Sequence, residues 1–541
     1  MRKILTWSVF IIGLLLVDAA FSARKPSKPR PKTDKKVYLI HSDRLFFDQF
    51  VMPDAQILAG NVALRHNDVR FFCDSAHVYE QSNSFQAFGS VKMLQGDTLS
   101  LTGDYLYYNG ETQIAEVRHN VRLKHKASLL ETDSLNYDRL YDVGYFFDGG
   151  RLTDAGNVLT SDWGEYAPGT NEAVFNYNVR LDNDKFSLRS DTLHYNTDTK
   201  QAHVVGPSNI KSGESHIYST DGIYNTQSGR TVLLKRSVVK NTDSDIVGDS
   251  IINDKEEGVT EAFGAVVINN KSNKTIMSGE YSYYNEKTGF ALVTDSALVK
   301  DYSNAADTMF LHADTFKLYS YHLETDSVYR VMHGYRHARA FRSDVQMVCD
   351  SLNFNSRDKR LALYRDPIVW QNNQQILGEQ IFLFMNDSTI DSAKVVNRSL
   401  LVEQIDSVHF NQINSVIMTS YFTDGQIRES VADGTVNVIF YQIDRDSLLV
   451  GMNSTKTTKM RMFMKDKKLD RIWTPAATGN FYPPMMITSE NMYLDNFAWF
   501  DYIRPIDKYD LFEWQPKRAG TELKASPRRR APLQTISDKP E

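Results

Sequence analysis

An acidic residue followed at +2 and +4 by apolar or aromatic residues returns about every thirty positions along this chain. The acid falls at Asp43, Asp74, Asp104, Asp133, Asp162, Asp191, Asp221, Asp249, Glu280, Asp314, Asp350, Glu379 and Asp406. The intervals are 31, 30, 29, 29, 29, 30, 28, 31, 34, 36, 29 and 27. A period of this length marks a supersecondary unit that cannot bury its apolar face alone and must stack on its neighbours.

Inside each unit the period is two. In SDTLHYN, Asp191, Leu193 and Tyr195 share one face, and Thr192, His194 and Asn196 share the other. TDSLNYD and CDSLNFN alternate in the same way. This is strand alternation with one face buried. Turn segments such as NGETQ, NTDTKQ and NEKTG follow, rich in Asn, Asp, Gly and Thr. A second strand then ends in a small or polar pair before Val, as in Gly60-Asn61-Val62 and Gly89-Ser90-Val91. The pattern predicts an all-β, elongated, repetitive β-jellyroll, two-sheet and solenoid-like, of about thirteen strand-turn-strand units. Its two ends are exposed sheet edges able to pair with another chain.

The ends of the chain differ from this body. Residues 1–23 combine a basic start, an apolar run and small residues, and read as a cleaved signal peptide. Residues 24–36 read as a basic, Pro-rich linker, residues 37–430 as the jellyroll repeats and residues 431–484 as a C-terminal β capping segment. Residues 485–516 form an aromatic-rich extension, read either as a partner surface or as a packed cap. Residues 517–541 read as a disordered basic tail. The signal peptide implies export to the periplasm, with association at the outer membrane as an option.

The +2 and +4 positions define an interior row: Leu45, Phe47, Leu106, Tyr108, Leu135, Tyr137, Leu193, Tyr195, Ile223, Ile251, Tyr284, Leu352 and Phe354. One reading is ordinary core, the other an apolar groove that admits acyl chains. Filled core and greasy channel share one pattern. The acid ladder reads as hydrogen-bonded strand starts rather than a row of cation sites, because it lacks the Gly-rich runs of calcium-binding rolls. Cys73 and Cys349 read as small buried apolar residues. HExxH, GxSxG, CxxC and phosphate-binding Gly loops are missing. No catalytic residue, cofactor or metal site is assigned. A net charge of −5 with mixed signs argues against nucleic acid as a partner.

The opening units carry Gly60-Asn61-Val62, Asp74-x-Ala76 and Ala87-x-Gly89-x-Val91. This series resembles the OstA-like superfamily, which includes LptA and the periplasmic domain of LptD. VIFYQIDRDSLLVGMNSTKTTKMRMFMKDKKLDRI resembles the C-terminal part of large OstA-like proteins of Bacteroidetes. The resemblance implies a twisted jellyroll that holds lipopolysaccharide or lipooligosaccharide and moves it toward the outer membrane, with the interior row as the lipid-binding surface. It also implies other Lpt-type transport components as partners, joined by edge-strand pairing. A structural or adhesive β-solenoid with a filled core is the rival reading, and a carbohydrate-active β-helix enzyme is a third.

Overall fold

A computed structural model describes residues 36–48, 50, 52–303, 308–325, 327–386, 390–424, 426–444, 448–465, 468–519 and 521. The expected signal peptide, most of the linker and most of the basic tail lie outside the described residues. The described chain forms 36 β-strands, every described pairing antiparallel, with three short 3-10 turns near the C-terminus. It is a repetitive β-jellyroll. The fold divides into two compact units, which part between Tyr177 and Asn178.

In both units most long strands turn once, near the middle. At that corner the ladder slips, as between Ala59 and Val62, Phe88 and Val91, or Ser278 and Tyr281. The corner residues take positive φ: Gly60 and Asn61, Gly89 and Ser90, His119 and Asn120, Gly264 and Ala265, Asn397 and Arg398. This two-residue bulge bends the strand, so its two halves join two facing sheet arms. The Gly-Asn-Val signature of the sequence is therefore a corner.

The acid ladder clamps these corners. The Asn61 amide donates to Asp43 at 2.9 Å, Asn120 to Asp104 at 2.6 Å and Asn397 to Glu379 at 3.2 Å. His337 meets Asp314 at 3.0 Å, and Arg236 donates to Asp249 at 2.7 Å. Two acids of the series stand elsewhere. Val204 pairs with both Leu193 and Gly222, so Thr220, not Asp221, occupies the place of Asp191. Asp406 lies in a turn bonded to His409, and Val416 takes the ladder position before Met418.

The apex beside the corners is lined by small residues. Ser190 and Ser208 are 2.8 Å apart, Ser219 and Ser237 2.9 Å, and Ser399 and Ser415 2.6 Å. Gly279, Ala297, Ala313 and Ala338 continue this role in the second unit. A corner glycine is a direct test of the bend. A Cβ at Gly89, whose φ is +71°, would meet the Asp74 carboxylate at 2.4 Å. Gly89→Val is expected to lower unfolding free energy by about 1–3 kcal/mol through left-handed strain. Urea titration of the purified variant reads this, and an unchanged midpoint would refute the corner assignment.

Candidate functional site

The interior lies between the two arms, and register fixes which residues face it. In the arm that follows each acid, Leu193, Val204, Gly222, Leu233, Ile251 and Ala262 lie side by side. The row resumes through Val293, Phe316, Gly334, Leu352, Leu363, Ile381, Val395 and Met418. Nearly all of these are fully buried. The opposite arm contributes a row three residues before each acid. In the first unit it reads Leu64, Phe71, Met93, Leu101, Leu123, Leu130, Leu152 and Leu159.

At the mouth, where the arms end, the two units differ. The first unit is closed. His66 on one arm meets the Tyr108 hydroxyl on the other at 2.6 Å, and Arg139 donates to that hydroxyl at 2.8 Å. His125 meets Tyr166 across the gap at 3.1 Å. Phe71 packs on Phe85 and Tyr108 with ring centroids at 5.0 and 4.7 Å. These groups exclude water; the rings are buried, and the Arg139 side chain is 4% exposed.

The second unit begins closed, with Phe186 and Tyr224 rings at 4.4 Å, and then opens. One arm's inward row runs through Ile217, Val239, Ile246, Ile268, Met277, Val299 and Leu311. Each of these is only half-buried, whereas the matching row of the first unit is fully buried. Beyond the buried Ala340 and Met347, the half-buried row continues at Val369, Ile376, Leu401 and Ile413. The facing margin carries Leu318, Met332, Phe354, Leu361 and Leu383, also half-buried. The result is an apolar seam that water reaches. At ~4.8 Å per strand, thirteen segments from Ile217 to Ile413 extend on the order of 60 Å along the stacking direction.

The expected interior row distributes unevenly over this architecture. Leu106, Tyr108, Leu135, Tyr137, Leu193, Tyr195, Ile251 and Leu352 face inward and are wholly buried. Phe354 and Tyr284 face inward at the mouth, Tyr284 being 43% exposed. Ile223 is a correction. It pairs with His203 and Val232 on the outer face, because the strand is one residue out of phase with its acid, and Gly222 and Tyr224 take the inward places. Leu45 and Phe47 lie on the edge strand Arg44–Phe47 and are 53% and 60% exposed, since among the described residues no strand pairs with its far side.

The aromatic-rich extension is packed, not free. It lies on the outer face of strands whose sequences are apolar on both faces. Val348, Ile368, Trp370, Leu377, Leu400, Val402 and Phe410 are covered by Phe500 and Ile503, with Leu494, Phe497 and Trp499 alongside. Two buried glutamines bond its backbone as a neighbouring strand would. Gln412 donates to Met492 O at 3.0 Å and accepts from Leu494 N at 2.8 Å. Gln375 donates to Ala498 O at 2.9 Å and accepts from Phe500 N at 2.8 Å. Arg504 donates to Gln346 at 2.8 Å, and Arg339, 1% exposed, is bound by Asp510 and the Glu513 carbonyl. We refer to this segment as the strap.

Two buried histidines make stability depend on pH. Burial holds His125 below the ordinary value of 6.5, and burial does the same at His312, which packs on Phe512 of the strap. A histidine with a lowered folded pKa takes its proton first in the unfolded chain. Stability from these groups is therefore present above about pH 6.5 and is lost as pH falls below it. The thermal midpoint should drop between pH 7.5 and 5.5, and His125→Gln should flatten that dependence. Equal slopes in both proteins would contradict this assignment.

These features define a class, the repetitive β-jellyroll with corner-bent strands and facing arms. Within it, the family model described as OstA-like protein matches residues 34–191, and that region is similar to that family. The crystal structure of LptH from Pseudomonas aeruginosa, described as the LptA homologous periplasmic component of the conserved lipopolysaccharide transport device, aligns at 11% identity. The alignment covers 25% of this chain and 92% of that chain with a TM-score of 0.20, too loose to place any residue. No curated protein matches the chain.

Proposed function

We propose that this is a periplasmic lipid-transfer protein that takes lipopolysaccharide or lipooligosaccharide into the seam of its second unit and passes it toward the outer membrane. The observation that carries the reading is the row of inward apolar side chains from Ile217 to Ile413, which stay half-open to water except at the buried Ala340 and Met347. Acyl chains laid there leave water at about 0.8 kcal/mol per methylene. No bond is made or broken, and release of several chains requires work done by a partner. Tyr284 and Phe354 of the expected row would touch lipid, while the wholly buried members hold the arms together. Edge-strand pairing with other Lpt-type components would use the exposed strands Tyr38–His41 and Arg44–Phe47. The closed interior of the first unit favours a second reading for that unit alone, as a structural β-solenoid with a filled core.

A photo-crosslinking amino acid at Met277, inward, and at Ile276, outward, tests the seam in living cells. Lipopolysaccharide adducts at 277 and none at 276 are expected. Adducts at neither position in a folded, exported protein would overturn the proposal.

A further inference from the structure

A concave patch with a volume of about 500 Å³ lies on the second unit, on the outer face of strands Ser187–Asn196, Gln201–Ser212, Ser215–Asn225 and Ser237–Lys240. Two register rows cross it. One runs Ser187, Lys211, His216, Lys240, and the other Arg189, Asn209, Tyr218, Val238. Like charges placed opposite each other on neighbouring strands destabilise a sheet. Here Lys211 and Lys240 flank His216, with Arg189 one row away. Among the described residues Arg189, Lys211 and Lys240 make no ion pair. The acid across from Lys240, Asp245, is held by Lys271 at 2.7 Å, and Glu214 in the adjoining turn accepts from Thr242 at 2.6 Å. The chain as a whole is acidic, so this excess of positive charge is local. Ile217 and Val239, next in sequence to His216 and Lys240, begin the half-open seam on the opposite face of the sheet, and the cation row lies at the ends of these strands, where the two faces meet.

We propose that Arg189, Lys211 and Lys240 bind a phosphate monoester carried on a saccharide, at the end of the seam. The inference rests on the seam as a lipid site for its most direct form, in which the phosphate belongs to the head group of the seated lipid. A freely diffusing sugar phosphate presents the same chemistry. Phosphate offers several acceptor oxygens to cations spread over three strands, and Arg189 adds a planar donor pair. Tyr218, 44% exposed, supplies a ring against which a sugar can lie.

The test measures binding of lysophosphatidic acid, dodecyl maltoside and glucose 1-phosphate to the full chain and to Lys211→Gln/Lys240→Gln and Arg189→Gln variants. Lys92→Gln/Lys124→Gln, two exposed positions of the first unit, serves as the charge control. Loss of charge-assisted hydrogen bonds should weaken lysophosphatidic acid by about tenfold or more, leave dodecyl maltoside unchanged and spare the control. If the wild-type protein binds neither amphiphile, the seam reading fails, and glucose 1-phosphate decides the patch alone. Binding that the patch variants abolish supports a site for free sugar phosphate, and no binding overturns it. Affinity for lysophosphatidic acid that is equal in wild type and patch variants also overturns the proposal.

Discussion

Replacing Met277 with Asp lowers the lipid bound to the protein by at least about tenfold while the fold survives, an expectation set by how the residue is buried. Met277 sits between Ile268 and Val299 on the inward face. Its partial exposure lets a carboxylate keep water, so the substitution avoids the penalty of an isolated buried charge. Acyl chains crossing that point would have to dehydrate the carboxylate, and the seam is interrupted there. Leu135→Asp is the contrasting variant. Leu135 is fully buried in the closed unit, and an unpaired carboxylate there is expected to unfold that unit. Lipid co-purifying with each variant, quantified against its circular-dichroism melt, separates the two effects. Wild-type lipid content in Met277→Asp would sink the seam as the lipid path.

Removal of the strap, by a stop codon after Pro484, has the larger effect on stability. It uncovers Trp370, Leu377, Leu400, Val402 and Phe410, and it withdraws the backbone partners of Gln375 and Gln412. Phe500, Ile503 and Leu511 are fully buried, and at roughly 1.5–3 kcal/mol for each large side chain the loss is on the order of 5–9 kcal/mol, an upper estimate. The truncated chain should aggregate on expression or melt far earlier in its second unit, with 8-anilinonaphthalene-1-sulfonate fluorescence reporting the uncovered face. A smaller probe, Gln375→Leu, removes both bonds to the strap while keeping similar volume. Equal melting of truncated and full-length protein would mean that the strap contributes no binding energy.

Much of this fold is legible in the sequence because the repeat and the strand period are local. The row after each acid was readable from Leu135, Leu193, Ile251 and Leu352. The facing row is equally present in the sequence. Phe71, Leu101, Leu130, Leu159, Leu188, Ile246, Met277, Leu311, Met347 and Ile376 each stand three residues before an acid. The corner's extra residue sits in the neighbouring strand, at pairs such as Gly60 with Asn61 and Gly89 with Ser90, so in the acid-bearing strand inward positions fall at odd spacing before the acid and even spacing after it. A strict period of two assigns this row to the wrong face. The same arithmetic misplaces Ile223, where the acid itself is displaced by one. Whether the mouth is open or shut was not legible, because it depends on contacts such as His66 with Tyr108 between residues 42 positions apart. The strap did leave a trace. Val348, Ile368 and Trp370 break alternation by making the outer face apolar, and Gln346 and Gln375 each stand four residues before an acid.

The corner has a consequence for how such a chain changes length over generations. Repeat spacing varies from 27 to 36 residues, yet the paired rows from Val293 through Val395 keep one residue per strand without a slip. Each left-handed pair resets the phase for its own strand, so residues gained or lost in an outer turn are absorbed before the next corner. Insertions in these turns therefore stay silent to the interior. Whole thirty-residue modules can be copied or deleted as units, and the length of the seam becomes a quantity that inheritance can adjust two strands at a time.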